Sequence, residues 1–511
     1  MPCLLGIDNG LTVTKAVIFD ERGTPLAVAR RRVPQLMPHP RHVERDMPGL
    51  WSATAEAIRE AIDLCGRPAG EIVGVAATAH GDGIYLLDRD RRPLGNGILS
   101  LDSRAGDLAG RWLASPLAAE ALAVTGQMPH ASAPSAILAH IRDHEPERFA
   151  AIGHILACKD WLRFCLTGTI GTDRTEASTS FTDVQGQDYS LQALRIFGLE
   201  ALYRALPPVS APSEVIGHVT PEAAALTGLP AGTPVVAGLH DVTASALGIG
   251  GHREGTVAIV AGTYSINEVV SDRPVTDGRW FCRNAIAPRK WNNMAISPAS
   301  AANYDWYLDT FCQEQHEKAA ATGQSVHSLL GAEIEAALAR PSTVLFHPYL
   351  FGSPYGSQAS ATFTGVHGWH GRGDLLRAVL EGVAFNHRIH VDALREGFPV
   401  TDARLTGGIS RNLAFAQLFA DCLGIPVTVT RTDEAAAWGA ALCAGAGVGL
   451  FGSPFDDPRD LDSLCTRFEP DAARRAGLDE RYRLFLDLAA AMKPLWPRIE
   501  ALAATGAADG R

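Results

Sequence analysis

The segment GIDNGLTVTKAVIFD, residues 6–20, constrains the fold more than any other stretch, because it sets an apolar run, a carboxylate, a Gly/Thr turn and a second apolar run in one line. Leu4 to Ile7 reads as a buried strand, Asn9 to Val13 as a turn and Lys15 to Phe19 as the returning strand. Asp8 then sits at a strand end and faces whatever the turn holds. Gly10 lets backbone N–H groups approach a phosphate, Thr12 and Thr14 add hydroxyl donors, Lys15 adds a cation, and Asp8 can hold Mg²⁺ directly or through water. These parts suit a nucleoside triphosphate; an ordinary hairpin with a polar turn fits the same residues.

The chain has 511 residues, more than one hydrophobic core usually organises, so two domains are expected, 1–250 and 251–511. A composition of 46% hydrophobic and 20% charged residues is that of a globular protein, not a disordered one. The formal net charge of −11 argues against a nucleic-acid partner, and the basic run Arg30 to Arg32 has no aromatic platform beside it. Nine scattered cysteines without a CxxC pair fit a reducing compartment, so the cytoplasm is the expected location. No stretch reaches the roughly 18 apolar residues that span a bilayer, and no basic leader precedes the first apolar run. A membrane partner and export are therefore not expected.

Periodicity predicts a helix over Leu50 to Leu64, a strand in GEIVGVAATAH, and helices over Gly106 to Ala114, Ser135 to His144 and Lys159 to Leu166. From Gly255 the run TVAIVAGTYSINEVV repeats the opening layout, which suggests two related halves, although two common hairpins can look alike by accident. Asp374 to Leu394 reads as a long helix, and LTGGIS leads from a strand into a helix ending near Leu423.

In GTPVVAGLHDVTASALGIG, Asp241 follows an apolar strand and precedes a small-residue helix. A carboxylate there can accept a proton from a hydroxyl that attacks a phosphoryl group, or it can simply cap the helix. His240 beside it reads as a local hydrogen-bonding residue. Paired glycines at Gly407 and Gly408 let a flat ring or ribose lie on bare backbone, and Asn412 can reach a nucleobase edge; the same turn can be structural. Neither His367 with His370 nor His387 with His390 has a third ligand at a recognised metal spacing.

The opening segment, CKDWLRFCLTG followed by TDRTEAS, the AGLHD segment, the AGTYS turn and TGGISRN with its following Gln and Asp occur in one order along the chain. In that order they resemble the FGGY family of carbohydrate kinases nearly end to end. The resemblance implies an α/β fold of two actin-like, ribonuclease-H-type domains with an ATP and sugar cleft between them. It implies Asp8 as the magnesium-associated carboxylate, Thr12 and Thr14 near the ATP phosphates, and Asp241 as catalytic base. Gly262 and Thr263 would form a second phosphate turn, and Gly407, Gly408 and Asn412 would line the adenosine pocket. Asn9 and Leu11 depart from the Gly or Gln and Thr of many members, which would remove one hydroxyl donor to phosphate.

His80, Gly81, Asp82 and Gly83 stand where xylulose kinases have Gln-Met-His-Gly, and resemble the L-xylulose and erythritol kinase branches, as do VERDM and PLGNGILSLDSRA. Asp82 can accept two hydroxyl hydrogen bonds and its charge would disfavour a sugar acid, unless the Gly-Asp-Gly turn points at solvent. Asp102 and Arg104 would join His80, Asp82, His240 and Asp241 at the sugar. The expectation is an ATP- and Mg²⁺-dependent kinase for a terminal hydroxyl of a neutral ketopentose, L-xylulose favoured. A polyol kinase for erythritol, another tetritol or pentitol, or glycerol is the alternative, and a non-catalytic ATP-binding actin-like protein is the alternative from another class. The expected partner is a small-molecule sugar or polyol, and any assembly is expected to be a homodimer.

Overall fold

The apolar runs of the opening segment pair as an antiparallel hairpin, β1 (Cys3–Asn9) and β2 (Val13–Asp20), in a computed structural model that describes residues 1–356 and 358–505. β3 (Pro25–Arg32) extends it on the β2 side. The Leu50–Leu64 periodicity becomes α1 (Met47–Cys65), capped by Asp46, whose side chain accepts from Gly49 N at 3.0 Å, and ended by Gly66 at φ 65°. Met47, Leu50, Thr54, Ala57, Ile58 and Ala61 face inward at helical spacing.

β4 (Ile72–Ala79) lies parallel to β1. After α2 (Cys158–Thr167), the strands β5 (Val215–His218), β6 (Pro234–Val236) and β7 (Leu239–His240) complete a seven-stranded sheet in the order β5-β6-β4-β1-β2-β3, with β7 also paired to β4. α3 (Asp241–Gly248) follows β7 directly.

The chain divides into two compact units, and neither is contiguous. One comprises Met1–Arg253, Val270–Asn293 and Thr432–Ser463; the other comprises Glu254–Val269, Met294–Arg431 and Leu464–Arg511. A single boundary at 250/251 therefore does not describe them. The physical reason lies in the Ala435–Gly447 helix, a run of small residues that seats on the first sheet. A Cβ at Gly6 would meet Ala437 O at 2.1 Å, one at Gly439 would meet Ala244 O at 2.0 Å, and one at Gly248 would meet Ala435 O at 1.9 Å. Backbone meets backbone here, and only glycine permits it. Leu4, Val17, Phe19, Ala76, Val236 and Leu247 bury against Trp438, Leu442 and Ala444 of that helix.

The second sheet repeats the strand order of the first. β8 (Gly255–Ala261) pairs antiparallel with β9 (Ser265–Ser271), with β10 (Trp291–Ser297) beyond β9. α4 (Arg372–Gly397) leads to β11 (Val400–Thr406), parallel to β8, and α5 (Leu413–Leu423) leads to β12 (Val427–Thr430), parallel to β11. β13 (Cys465–Phe468) closes the far edge antiparallel to β12. The echo between the two hairpins is thus carried through the whole order of both sheets.

Candidate active site

Three neighbouring strands of the first unit end together. Asp8 of β1 is in register with Thr78 of β4, which is in register with Leu239 of β7; one step on, Asn9, Ala79 and His240 align. The carboxyl ends therefore bring Asp8, His80 and Asp241 to one edge of the sheet, the edge at which open α/β sheets bind ligands. Thr78 Oγ1 donates to Leu239 O at 2.7 Å and His80 N donates to Asn9 O at 3.0 Å, which ties the three ends.

Asp241 is the first residue of α3, and His240 occupies the cap position. The aspartate Oδ1 accepts from its neighbour Val242 N at 2.7 Å and lies 3.4 Å from His240 Nδ1, and its side chain is 29% exposed. Burial pushes the His240 imidazole down to about 3, so this contact is not an ion pair. His80 is likewise pushed down to about 3 by burial, with Arg45 adding to the effect. His240 N donates to Thr175 Oγ1 at 3.0 Å, and Thr175 Oγ1 donates to Asp173 Oδ2 at 2.6 Å. Lys159 Nζ lies 2.9 Å from Asp173 and 2.6 Å from Asp160, all fully buried. The CKDW and TDRTEAS segments thus hold the strand end that carries Asp241.

At the first turn Lys15 stands opposite Asp8 in the register, with Nζ 3.5 Å from Asp8 Oδ2 and 3.1 Å from Glu434 Oε2; Arg30 also pairs with Glu434. Burial raises the Asp8 carboxyl, Lys15 opposes that shift and Glu434 reinforces it. Buried Arg45 donates to Gly10 O and Leu11 O, and Gln35 Nε2 donates to Leu11 O at 3.0 Å. Thr12 is exposed in the turn.

Two expectations at this turn are corrected. Thr14 is fully buried, its hydroxyl 3.2 Å from Thr54 Oγ1 on α1, because side chains alternate along β2 and Thr14 takes the face opposite Lys15. Asn9 alternates in the same way: its Nδ2 donates to Cys158 Sγ at 2.9 Å, so the departure at position 9 falls in the core, and the hydroxyl that many members carry is the one replaced by Leu11. Leu11 packs against the same core.

Asp82 stands in the left-handed region, φ 56°, between Gly81 and Gly83. It does not present a lone charge. Arg283, its side chain 2% exposed, donates Nη2 to Asp82 Oδ1 at 2.9 Å and Nε to Gln127 Oε1 at 2.7 Å. Arg283 lies 201 residues from Asp82, and no sequence spacing points to it.

Asp102 and Arg104 are corrected as sugar ligands. Asp102 accepts from Arg104 N and Nε at 2.9 Å and from Val43 N at 2.7 Å, while Arg104 Nη2 reaches Glu44 at 2.6 Å. Their side chains are 0% and 1% exposed, so they brace the loop instead.

In the second unit the AGT turn and the paired-glycine turn meet. Gly407 has φ 109°, and a Cβ on it would meet Ala261 O at 2.3 Å. A Cβ on Gly408 would meet nothing within 4 Å, so this backbone faces open space. Gly262 O accepts from Ala301 N at 2.9 Å, and Thr263 follows it in the turn. Asn412 caps α5, its Oδ1 accepting from Ala414 N at 3.0 Å and Phe415 N at 3.3 Å. Under the turn, buried His387 joins Ser265, Asn267 and Ser300 at 2.8–3.0 Å. Among the described residues no group of three or more His, Cys, Asp or Glu could hold a metal ion by itself, and no helix is long and apolar enough to cross a membrane.

Residues 3–248 match the N-terminal domain of the FGGY family of carbohydrate kinases, and residues 257–448 match its C-terminal domain. The chain is 32% identical over 501 residues to the L-xylulose/3-keto-L-gulonate kinase of Escherichia coli strain K12, covering 97% of this chain and 98% of that protein. It is 35% identical over 496 residues to a probable L-xylulose kinase of Pasteurella multocida strain Pm70, covering 96% and 99%. A solved xylulose kinase from Rhodospirillum rubrum superposes with a TM-score of 0.83 at 29% identity, over 97% of this chain and 99% of that one. The chain belongs to the FGGY family of carbohydrate kinases, phosphotransferases that act on a sugar hydroxyl.

Proposed function

We propose that this protein phosphorylates a terminal hydroxyl of a neutral ketopentose, with L-xylulose the favoured substrate and ATP the donor. The observation that carries this reading is the shared strand edge of Asp8, His80 and Asp241, with Asp82 on the turn that follows β4. L-xylulose in the names of two relatives supports the ketopentose, while 3-keto-L-gulonate in one of those names is a sugar acid.

The residues fit ATP and Mg²⁺. Asp8 is a partly exposed carboxylate beside a glycine turn, and Mg²⁺ sites in phosphoryl-transfer proteins use one or two carboxylates and keep several waters. Open space over Gly408 suits a flat ring against backbone. Asp8 would hold the metal, and Gly10, Thr12 and Lys15 would serve the phosphates in the first unit. Gly262 and Thr263 would serve phosphate in the second unit, while Gly407, Gly408 and Asn412 would serve the adenosine. Bound Mg²⁺ supplies neutralisation of charge on the phosphates.

Asp241 accepts the proton of the attacking hydroxyl. Its oxygen is partly exposed, and the peptide that carries it is held through Thr175, Asp173 and Lys159. Neutral His240 and His80 orient hydroxyls without adding charge beside the developing alkoxide. A coupled ADP-release assay across L-xylulose, D-xylulose, erythritol, pentitols, glycerol and sugar acids tests the proposal. High kcat/KM for L-xylulose is expected; ADP release independent of every sugar would refute it.

A further inference from the structure

Asp82 is the only side chain its turn presents, because a Cβ on Gly81 would strike His240 Nε2 at 1.7 Å and one on Gly83 would strike Ile98 O at 2.2 Å. Arg283 comes from the Phe281–Asn284 strand, its guanidinium carbon 4.8 Å from the Phe281 ring centroid and its Nε tied to Gln127, which in turn donates to Ser178 O at 2.8 Å. The guanidinium is clamped on three sides. His130 packs against Phe281 in a tilted arrangement, ring centroids 5.3 Å apart, and brings Nε2 to 3.9 Å from Asp82 Oδ1, with no hydrogen-bond partner.

The charge balance of this cluster is closed. Burial would raise the Asp82 carboxyl, but the Arg283 guanidinium holds it below the usual carboxylate range. Burial also lowers His130, and His80 and His240 are neutral. One negative and one positive group therefore cancel, while Asp82 keeps a second oxygen and His130 keeps a ring nitrogen for a ligand. A lone aspartate would repel every acid, and a lone buried arginine would attract one.

We propose that Asp82 and Arg283 form a charge-balanced selectivity pair, in which the Asp82 carboxylate occupies the place that the carboxylate of a sugar acid would otherwise take on Arg283. The pair thereby reserves this part of the site for a hydroxyl-bearing, uncharged end of the substrate. This deepens the kinase reading and rests on it. Arg283 is a specificity-determining residue, and removal of the Asp82 charge converts it into a carboxylate receptor.

The test compares L-xylulose with the five-carbon acid L-xylonate by calorimetric binding and by ADP release, in the native protein, Asp82→Asn and Arg283→Met. Asparagine tolerates the left-handed backbone at position 82, and Asp82→Ser serves as a second variant. Asp82→Asn is expected to weaken L-xylulose by about 10–100-fold and to strengthen L-xylonate by about tenfold or more, inverting the preference. Arg283→Met in the Asp82→Asn background is expected to abolish the gained L-xylonate binding. Equal weakening of both ligands by Asp82→Asn, an unchanged preference, or native protein that binds L-xylonate as well as L-xylulose would overturn the pair. Failure of the kinase reading is a separate result: no sugar-dependent ADP release, whatever the binding preference.

Discussion

The turn between β1 and β2 and the turn between β8 and β9 stand at equivalent places in two sheets of the same strand order, yet they are built from opposite materials. The first is ionic: Asp8, Lys15, Glu434 and Arg30 form a partly buried network, and Arg45 grips the turn carbonyls. The second is neutral, with Gly262 and Thr263 above a Ser/Asn/His network and bare backbone at Gly407 and Gly408 beside it. One scaffold supports charge chemistry in one copy and close backbone approach in the other. The difference teaches that the strand order fixes where a ligand meets the sheet, while a few side chains decide how.

Variants that strike these materials should separate the two. Asp241→Asn removes the carboxylate at the ionic edge, and kcat in the ADP-release assay is expected to fall by about 10²–10⁴-fold with thermal unfolding little changed. A variant with native turnover would remove Asp241 from the chemistry. Gly407→Val attacks the neutral turn, where φ 109° and the approach to Ala261 O exclude a side chain. A loss of about 1–3 kcal/mol in urea unfolding is expected, with weakened ATP binding.

Glu434→Gln leaves Lys15 with Asp8 alone and Arg30 unpaired. A loss of about 1–3 kcal/mol is expected in the same urea series, and it should persist in 0.5 M salt because Glu434 is only 5% exposed.

Acid should act on buried histidines of both units: besides His80 and His240, burial depresses His252 and His390 to about 4 and His387 well below its usual value. His80 and His240 bind protons at about 3 when folded and near 6.5 when unfolded, so the unfolded chain takes up protons first. Stability from these groups is present above about 6.5 and falls toward pH 3, by about 1.4 kcal/mol per unit for each histidine. Unfolding measured at several pH values should show that slope, reduced by one histidine's share in a His240→Gln variant. The smallest effect belongs to Thr14→Val: Thr54 keeps its bond to Leu50 O, so the KM for ATP should stay within about twofold. A large rise would return Thr14 to the phosphate.

Local features were legible in the sequence. The β1–β2 hairpin, α1, α2 and α4 follow from apolar periodicity and lie within a few residues of their expected limits. Thr14 and Asn9 were misplaced because a turn motif read as a string ignores strand alternation, which sends successive side chains to opposite faces. The resemblance that puts Asp102 and Arg104 at the sugar carries no information on burial, which makes them partners of each other. Arg283 and Glu434 reach Asp82 and Lys15 from 201 and 419 residues away, and such pairing leaves no mark in local spacing.

The glycine-mediated seat of the Ala435–Gly447 helix bears on how the protein is made. The face of the first sheet that carries Leu4, Val17 and Ala76 has its cover encoded more than four-fifths of the way along the chain. At about 5–20 residues per second, a ribosome exposes that face for roughly tens of seconds before its partner emerges. Chaperone protection of the nascent chain, and aggregation of any fragment ended near residue 250, follow from where those small residues were placed.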